Sequence, residues 1–172
     1  MENKKPIRKN HRLPSQNYSS PGAYFITICT HNRERILSSI VGAIHESPVV
    51  VLTDYGKIVD KIINNLPEHL CVGVDKYVIM PNHIHIIFSI SRADAERAIR
   101  ESPLRSRSLI SSAVGYIKMN STKVMRQEYG DNTLWQRSFY DHIIRNEEDY
   151  YECSRYIEEN PLKWEHDELN AW

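Results

Sequence analysis

The stretch Met80-Pro81-Asn82-His83-Ile84-His85-Ile86-Ile87-Phe88 decides how the rest of the chain is read. Pro81-Asn82 is a breaker pair, and the apolar, β-branched residues on either side predict strands over Cys71–Met80 and His83–Ile90. A two-residue break between them makes an antiparallel hairpin. Residues two apart on a strand project from the same face, so His83 and His85 point together while Ile84 and Ile86 pack on the other side. Two imidazoles side by side on a rigid strand can chelate a divalent ion. Two half-buried histidines on a sheet face would give the same pattern; the turn directly before the pair, at a sheet edge or mouth, favours ligands. Other chemistries built on His-x-His do not fit. A histidine-triad hydrolase needs a third His where Ile87 stands, a metallo-β-lactamase-like site needs Asp-His where Phe88-Ser89 stands, and no HExxH is present.

Working outward, Ala23–Thr30 (AYFITICT) is β-branched and aromatic and reads as a strand, followed by a polar excursion over His31–Ile36. Ser39–Ala43 and Val49–Leu52 are short strand candidates around a His45-Glu46-Ser47-Pro48 turn. Thr53 is placed to cap a helix running through Asn65, with Ile58, Ile62, Ile63 and Leu66 as its apolar stripe and Pro67 as its stop. Ser91–Ser108 is charged and irregular, a loop with a short helical piece. Leu109–Tyr129 carries Ile110, Val114, Ile117 and Val124 at near-helical spacing and reads as a long amphipathic helix stopped by Gly130-Asp131-Asn132. Trp135–Ile144 reads as a strand, and Glu147–Asn160 as a helix ended by Asn160-Pro161. The order predicts an α+β fold, an antiparallel sheet with helices packed on it.

At 172 residues the chain is one ordinary domain, residues 23–172, preceded by an arm over residues 1–22 whose Lys4, Lys5, Arg8, Lys9 and Arg12 make it basic. Formal net charge is zero, so no overall positive field announces a polyanion partner. The charge is unevenly distributed, however. From residue 146 onward nine acids face two bases, leaving the first 145 residues with an excess of seven bases, a body compatible with a polyanionic substrate. No apolar run reaches a membrane-spanning length, and the N-terminus lacks the apolar core of a signal peptide. Cys29, Cys71 and Cys153 make neither a disulfide framework nor a CxxC zinc site, so a reducing cytoplasm is expected. Neither a Walker loop nor a GxGxxG occurs.

Two further stretches can carry chemistry. Tyr156 and Asn160 are four apart in the last helix and share one face, which puts a phenol beside an amide oxygen; Tyr150 and Tyr151 lie one to two turns earlier. Tyrosines on such a helix also serve as half-buried packing residues. In Trp135–Arg145, His142 is a third ligand, a base, or a residue that orients a neighbour or simply sits in the sheet, and Arg137 and Arg145 can bind phosphates or sit on a solvated edge.

Taken in order, PGAYFITICTHNRE, YVIMPNHIHII, the helix containing Lys118, LWQRSFYDHIIRNEEDY and RYIEENPLKW resemble the Y1 transposases of the IS200/IS605 type, more closely their REP-associated tyrosine transposase branch. The resemblance runs from about residue 10 to residue 170. It implies an HUH single-strand endonuclease on a ferredoxin-like or RRM-like core, with His83 and His85 binding Mg²⁺ or Mn²⁺. It also implies that Tyr156 is the nucleophile and that Asn160 completes the metal site. The expected reaction is cleavage and rejoining of single-stranded DNA at hairpin-containing, REP-like sites through a 5′-phosphotyrosine ester. Lys118, Lys123, Arg137 and Arg145 are candidates for holding the DNA, together with the N-terminal arm. Relatives act as dimers that exchange the tyrosine helix or as monomers, and a bacterial nucleoid location follows from such a substrate. Two other readings stand beside this one. A non-catalytic RRM-like module would stack single strands on Trp135, Phe139 and Tyr140, and a metal-dependent phosphoesterase would use water, with Tyr156 structural.

Overall fold

The computed structural model describes residues 19–42, 48–101, 107–130 and 134–170. The first eighteen residues of the basic arm and the His45-Glu46-Ser47 turn lie outside the described residues. Among the described residues six strands and four α-helices follow in order: β1 (Gly22–Cys29), β2 (Ser38–Val41), β3 (Val49–Leu52), α1 (Asp54–His69), β4 (Gly73–Ile79), β5 (His83–Ile90), α2 (Arg92–Glu101), α3 (Leu109–Tyr129), β6 (Tyr140–Ile144) and α4 (Glu147–Glu159).

The main sheet has the order β4-β5-β1-β6, with every neighbouring pair antiparallel. Stripped of the small β2–β3 ribbon, of α2 and of the final helix, the chain runs β-α-β-β-α-β, which in this strand order is the ferredoxin-like arrangement. The α+β expectation therefore holds. Side-chain alternation divides the sheet into two working faces. Tyr24, Ile26 and Ile28 of β1 join Ile84, Ile86 and Phe88 of β5 in a core closed by Val59, Ile63 and Leu66 of α1 and Ile110, Val114 and Ile117 of α3. Each fully buried aliphatic side chain there contributes roughly 1.5–3 kcal/mol relative to exposure. The opposite face carries Phe25, Thr27 and Cys29 of β1 and His83 and His85 of β5, because directly opposed residues share a face and the register pairs Thr27 with His85 and Cys29 with His83. Of the four α-helices only α4 lies on that side, where a C-terminal 3-10 turn joins it with the Trp164 ring 6.0 Å from that of His83. Lys76 of β4 helps to seat it, its ammonium donating to Ser154 Oγ at 2.6 Å and to Glu158.

Several expected boundaries move, each for a local reason. Pro67 does not stop α1, which runs on to His69. The proline removes one backbone donor, yet Leu66 is fully buried, the Leu70 N–H still reaches Leu66 O at 3.1 Å and His69 stacks on Tyr116. Thr53 does cap this helix, its Oγ1 accepting from the Gly56 N–H at 3.1 Å. The expected strand from Cys71 begins only at Gly73, since Cys71 and Val72 are buried in the turn after α1. The expected loop after Ser91 holds a full helix, α2, whose first turn is capped by Ser91 Oγ accepting from the Asp94 N–H. The expected strand from Trp135 is ordered as a strand only from Tyr140. Trp135 makes a single bridge to Thr30, and the carbonyls of Gln136 and Ser138 accept from Lys118 Nζ at 2.7 and 2.8 Å instead of from a neighbouring strand. Ser19 and Ser20, at the described end of the arm, are tied down: Ser19 Oγ accepts from the Leu109 N–H and Ser20 O from the Tyr24 hydroxyl.

Candidate active site

His83 and His85 are 0% and 2% exposed, with ring centroids 4.4 Å apart. Their tautomers can be read from their neighbours. Asn82 Nδ2 donates to Leu169 O at 2.7 Å, which fixes the amide so that its Oδ1 faces His83 Nδ1 at 2.8 Å. An amide oxygen only accepts, so His83 carries its proton on Nδ1 and leaves a lone pair on Nε2. His85 Nδ1 lies 2.8 Å from Thr27 Oγ1, a partner able to accept in the same way. Burial pushes the His83 imidazolium down to about 3, with the Asn160 amide working the other way and Arg33 adding to the fall. His85 is driven well below the ordinary range by burial and by His83, against an opposing pull from Asp167. Both rings are therefore neutral near pH 7.

α4 supplies the rest. Its N-cap is Asn146, whose Oδ1 accepts from the Asp149 N–H at 2.8 Å, and Asn160 is its C-cap. Tyr156 and Asn160, one turn apart, both face the histidines. The Tyr156 ring stands edge-on to His85 at 5.1 Å and to Phe25 at 5.9 Å, and 42% of the residue is exposed. Its phenol is pushed up by burial and by Asp167 and Glu168, while Asn160 draws it down. Asn160 is buried, and its Nδ2 donates to Asp167 Oδ2 at 3.2 Å, which leaves Oδ1 as the amide's open acceptor.

These contacts produce a distinctive residue of unmet chemistry. His83 Nε2, His85 Nε2 and Asn160 Oδ1 are all buried without a hydrogen-bond partner. Leaving such atoms unpaired is costly unless a ligand satisfies them, and all three are lone-pair donors. Asp167 joins them, one of its oxygens lying within 4.8 Å of a nitrogen of each histidine. Two imidazoles, an amide oxygen and a carboxylate fit a divalent cation. The site opens into a cleft of about 840 Å³ lined by Phe25, Thr27, Tyr140, Tyr156 and, from the C-terminal segment, Lys163 and Asp167. The Pro81-Asn82 turn is not the open mouth expected of it. Asn82 is buried beneath Leu169, and the cleft opens instead on the Tyr140 and Tyr156 side.

A family model described as "Transposase IS200 like" matches residues 22–160. The chain belongs to the IS200-like transposase family. It is similar to a Haemophilus influenzae protein described only as uncharacterized, with 35% identity over 171 residues, 94% of this chain and 92% of that one. It is also similar to the REP-associated tyrosine transposase of Escherichia coli K12, with 23% identity over 146 residues, 85% of this chain and 70% of that one. Among solved structures, a REP-associated tyrosine transposase bound to a REP hairpin aligns over 88% of this chain and 74% of that one, with a TM-score of 0.59 and 21% identity. That likeness shows a shared fold.

The other residues of this IS200-like chain named from sequence fall in two places. Lys118, Lys123 and Arg137 line one groove of about 770 Å³ together with Arg126, Thr122 and Trp135. Lys118 is half-buried there, and burial pushes its ammonium down to about 8. Arg145 is not in that groove; it lies at the β6–α4 junction, where its N–H donates to Asp149 Oδ2 at 3.0 Å. His142 does not reach His83 or His85 and pairs with Asp149 instead. Trp135, expected as a stacking platform in the non-catalytic reading, is 8% exposed with its Nε1 donating to Ser121, so its face is not available. Tyr150 is turned towards Asp75 and away from the histidines. Sequence reasoning missed Arg33, Lys163 and Asp167 in the cleft. Asp167 is one acid among nine in an acid-rich tail, and no spacing distinguishes it. No helix among the described residues is long and apolar enough to cross a membrane.

Proposed function

We propose that this chain cleaves and rejoins single-stranded DNA at hairpin-containing sites, with Tyr156 as nucleophile. The observation that carries the reading is the meeting of a half-exposed phenol with three buried, unpartnered lone-pair donors on His83, His85 and Asn160. Those donors, with Asp167, would hold Mg²⁺ or Mn²⁺, which when bound polarises a phosphodiester and offsets the charge that builds on its oxygens.

The protein's own residues account for the remainder. Tyr156 is held edge-on between Phe25 and His85, so its oxygen has a restricted approach to the cleft. The phenol starts protonated, because burial and the nearby carboxylates favour the neutral form. Its proton leaves as the oxygen–phosphorus bond forms. The bond from phosphorus to the 3′ oxygen breaks, and that oxygen takes up a proton to become a 3′-hydroxyl. The 5′-phosphotyrosine ester retains the bond energy, so a 3′-hydroxyl can attack it and restore the phenol without ATP. Arg33 and Lys163, both lining the cleft, supply positive charge for the flanking phosphates. The groove of Lys123, Arg126 and Arg137 is the surface proposed for the hairpin stem, and a REP-like hairpin is the substrate suggested by the named relatives.

The test is a covalent adduct on a denaturing gel, using oligonucleotides taken from the DNA flanking the gene. An adduct that requires Mg²⁺ or Mn²⁺, disappears in Tyr156→Phe and persists in Tyr150→Phe is the expected result. Cleavage that survives Tyr156→Phe would instead mean a water nucleophile, and binding with no adduct under any metal would leave only a nucleic-acid-binding module.

A further inference from the structure

α4 carries a second set of donors one turn before Tyr156. Asp149, Cys153, Tyr156 and Asn160 follow one another at spacings of four, three and four, which places all four on a single stripe of the helix. The later half of that stripe faces His83 and His85 on β5. The earlier half faces His142 on β6, whose backbone register sets it opposite Phe25 on the same sheet face as the active site.

We propose that His142, Asp149 and Cys153 form a separate metal site for a thiophilic divalent ion of the zinc class, which staples α4 to the edge strand. His142 Nε2 lies 2.8 and 3.0 Å from the two oxygens of Asp149, and Cys153 Sγ lies 3.8 Å from Asp149 Oδ1. One donor atom from each residue falls within 4.8 Å of the other two. Nitrogen, oxygen and sulfur in one cluster match the ligand set that zinc accepts, and the fourth tetrahedral position stays open to water. Asp149 is already oriented: its Oδ2 accepts the Arg145 N–H, and its own N–H is held by Asn146, so Oδ1 is turned towards the thiol.

In the ion-free arrangement protons occupy the places an ion would take. The Cys153 thiol donates to Asp149, and burial, with the carboxylate adding to it, pushes that thiol up to about 11, so Cys153 is no nucleophile in this state. In the empty cluster the carboxylate oxygens can only accept, so His142 carries its proton on Nε2. Binding releases the thiol proton to solvent and shifts the imidazole proton from Nε2 to Nδ1, which frees the Nε2 lone pair. The carboxylate that suppresses the thiolate in the empty cluster becomes a ligand beside it when the cation enters. Glu152 on the same helix adds negative charge beside the thiol. The inference does not depend on the cleavage reading: the set at His83 and His85 offers no sulfur ligand and suits a harder ion.

Co²⁺ titration of the full chain tests it, because a cobalt–thiolate bond gives a near-ultraviolet charge-transfer band. The expected result is a band that is displaced by Zn²⁺, saturates at a single equivalent in His83→Ala, where the other candidate site is disabled, persists in Cys29→Ser, and is lost in Cys153→Ser. His142 is half exposed, so His142→Ala should keep the fold; made in the His83→Ala background, it should weaken Zn²⁺ binding at least tenfold and abolish the Zn²⁺-induced rise in melting temperature. No band in the wild-type chain, a band that survives Cys153→Ser, or unchanged Zn²⁺ affinity when His142→Ala is added to His83→Ala would each overturn the proposal.

Discussion

Thr27 Oγ1 lies 2.8 Å from His85 Nδ1, across the β1–β5 ladder and with both residues buried. For His85 to offer Nε2 to a cation, Nδ1 must carry the proton and donate it to this hydroxyl. Thr27→Val keeps the β-branched shape and removes the acceptor. Contacts of this kind typically govern metal affinity by about 10–100-fold. The variant should therefore bind Mn²⁺ at least tenfold more weakly, as read by isothermal titration, with an unchanged far-ultraviolet circular dichroism spectrum. Equal affinity would show that Thr27 plays no part in orienting the ligand.

Asp167 tests whether the C-terminal segment belongs to the site. Its Oδ1 accepts from the Leu169 N–H at 2.6 Å and its Oδ2 from Asn160, so the carboxylate is fixed rather than waving in solvent. Asp167→Asn preserves size and removes the charge. Mn²⁺ affinity should fall by about tenfold or more, in keeping with the loss of a charged interaction in a low-dielectric site. The phenol of Tyr156, relieved of a neighbouring negative charge, should titrate lower in a spectrophotometric titration of the metal-free protein. No movement in either quantity would remove Asp167 from the site.

Lys118 predicts a pH dependence of stability. Burial holds its folded-state value at about 8, while the unfolded chain returns it to the ordinary lysine range of about 10.4. Between these values the unfolded chain binds more protons, so this group makes stability rise with pH from about 8 to about 10. Below that window the ammonium is present in both states and the cost of burying it is felt in full. Urea unfolding across this range should show the upward slope in the wild type and a flatter one in Lys118→Met. Above the window, where that cost is gone, Lys118→Met should be the less stable of the two, because the Gln136 and Ser138 carbonyls lose their donor.

The groove beside α3 predicts a salt signature. Lys123→Ala and Arg126→Ala should each weaken hairpin binding to a similar degree for every stem sequence. Each should also reduce the slope of log affinity against log salt by about one. A loss confined to one stem sequence would mean base reading rather than phosphate contact.

Gly56 ties sequence to fold. A Cβ built there would run into the backbone carbonyl of Leu37, which cannot move without disturbing the Leu37–Pro81 and Thr53–Leu37 hydrogen bonds. Gly56→Ala should lower unfolding free energy by about 1–3 kcal/mol, the usual cost of overpacking, despite alanine's better helix propensity. Thermal denaturation followed by circular dichroism gives the answer directly.

What the sequence made legible follows from the range of the forces involved. The His83–His85 pair, the Thr53 cap and the limits of α3 depend on neighbours within a few residues, and they stand where local spacing put them. The end of α1 was misplaced because Leu66 burial and the His69–Tyr116 stack are tertiary, and they outweigh the proline. The first half of the Trp135–Ile144 segment was misplaced because a lysine eighteen or more residues away captures its carbonyls. In the site, Tyr156 and Asn160 were visible as a helical pair, whereas Asp167 enters through a turn with no periodicity to betray it. His142 reads from sequence as a ligand with no assigned partner, since Asp149, which it pairs with, and the nearby Cys153 lie beyond the strand on the next helix.

Tyr156 reaches His85 from within one polypeptide, across the short β6–α4 junction. No exchange of helices between copies is needed to assemble the cleft. With Tyr156 as the proposed nucleophile, a single molecule carries one such phenol and so can hold one severed end at a time. Joining two ends would then be a sequence of captures and releases at the same residue, or a meeting of two molecules each holding its own strand.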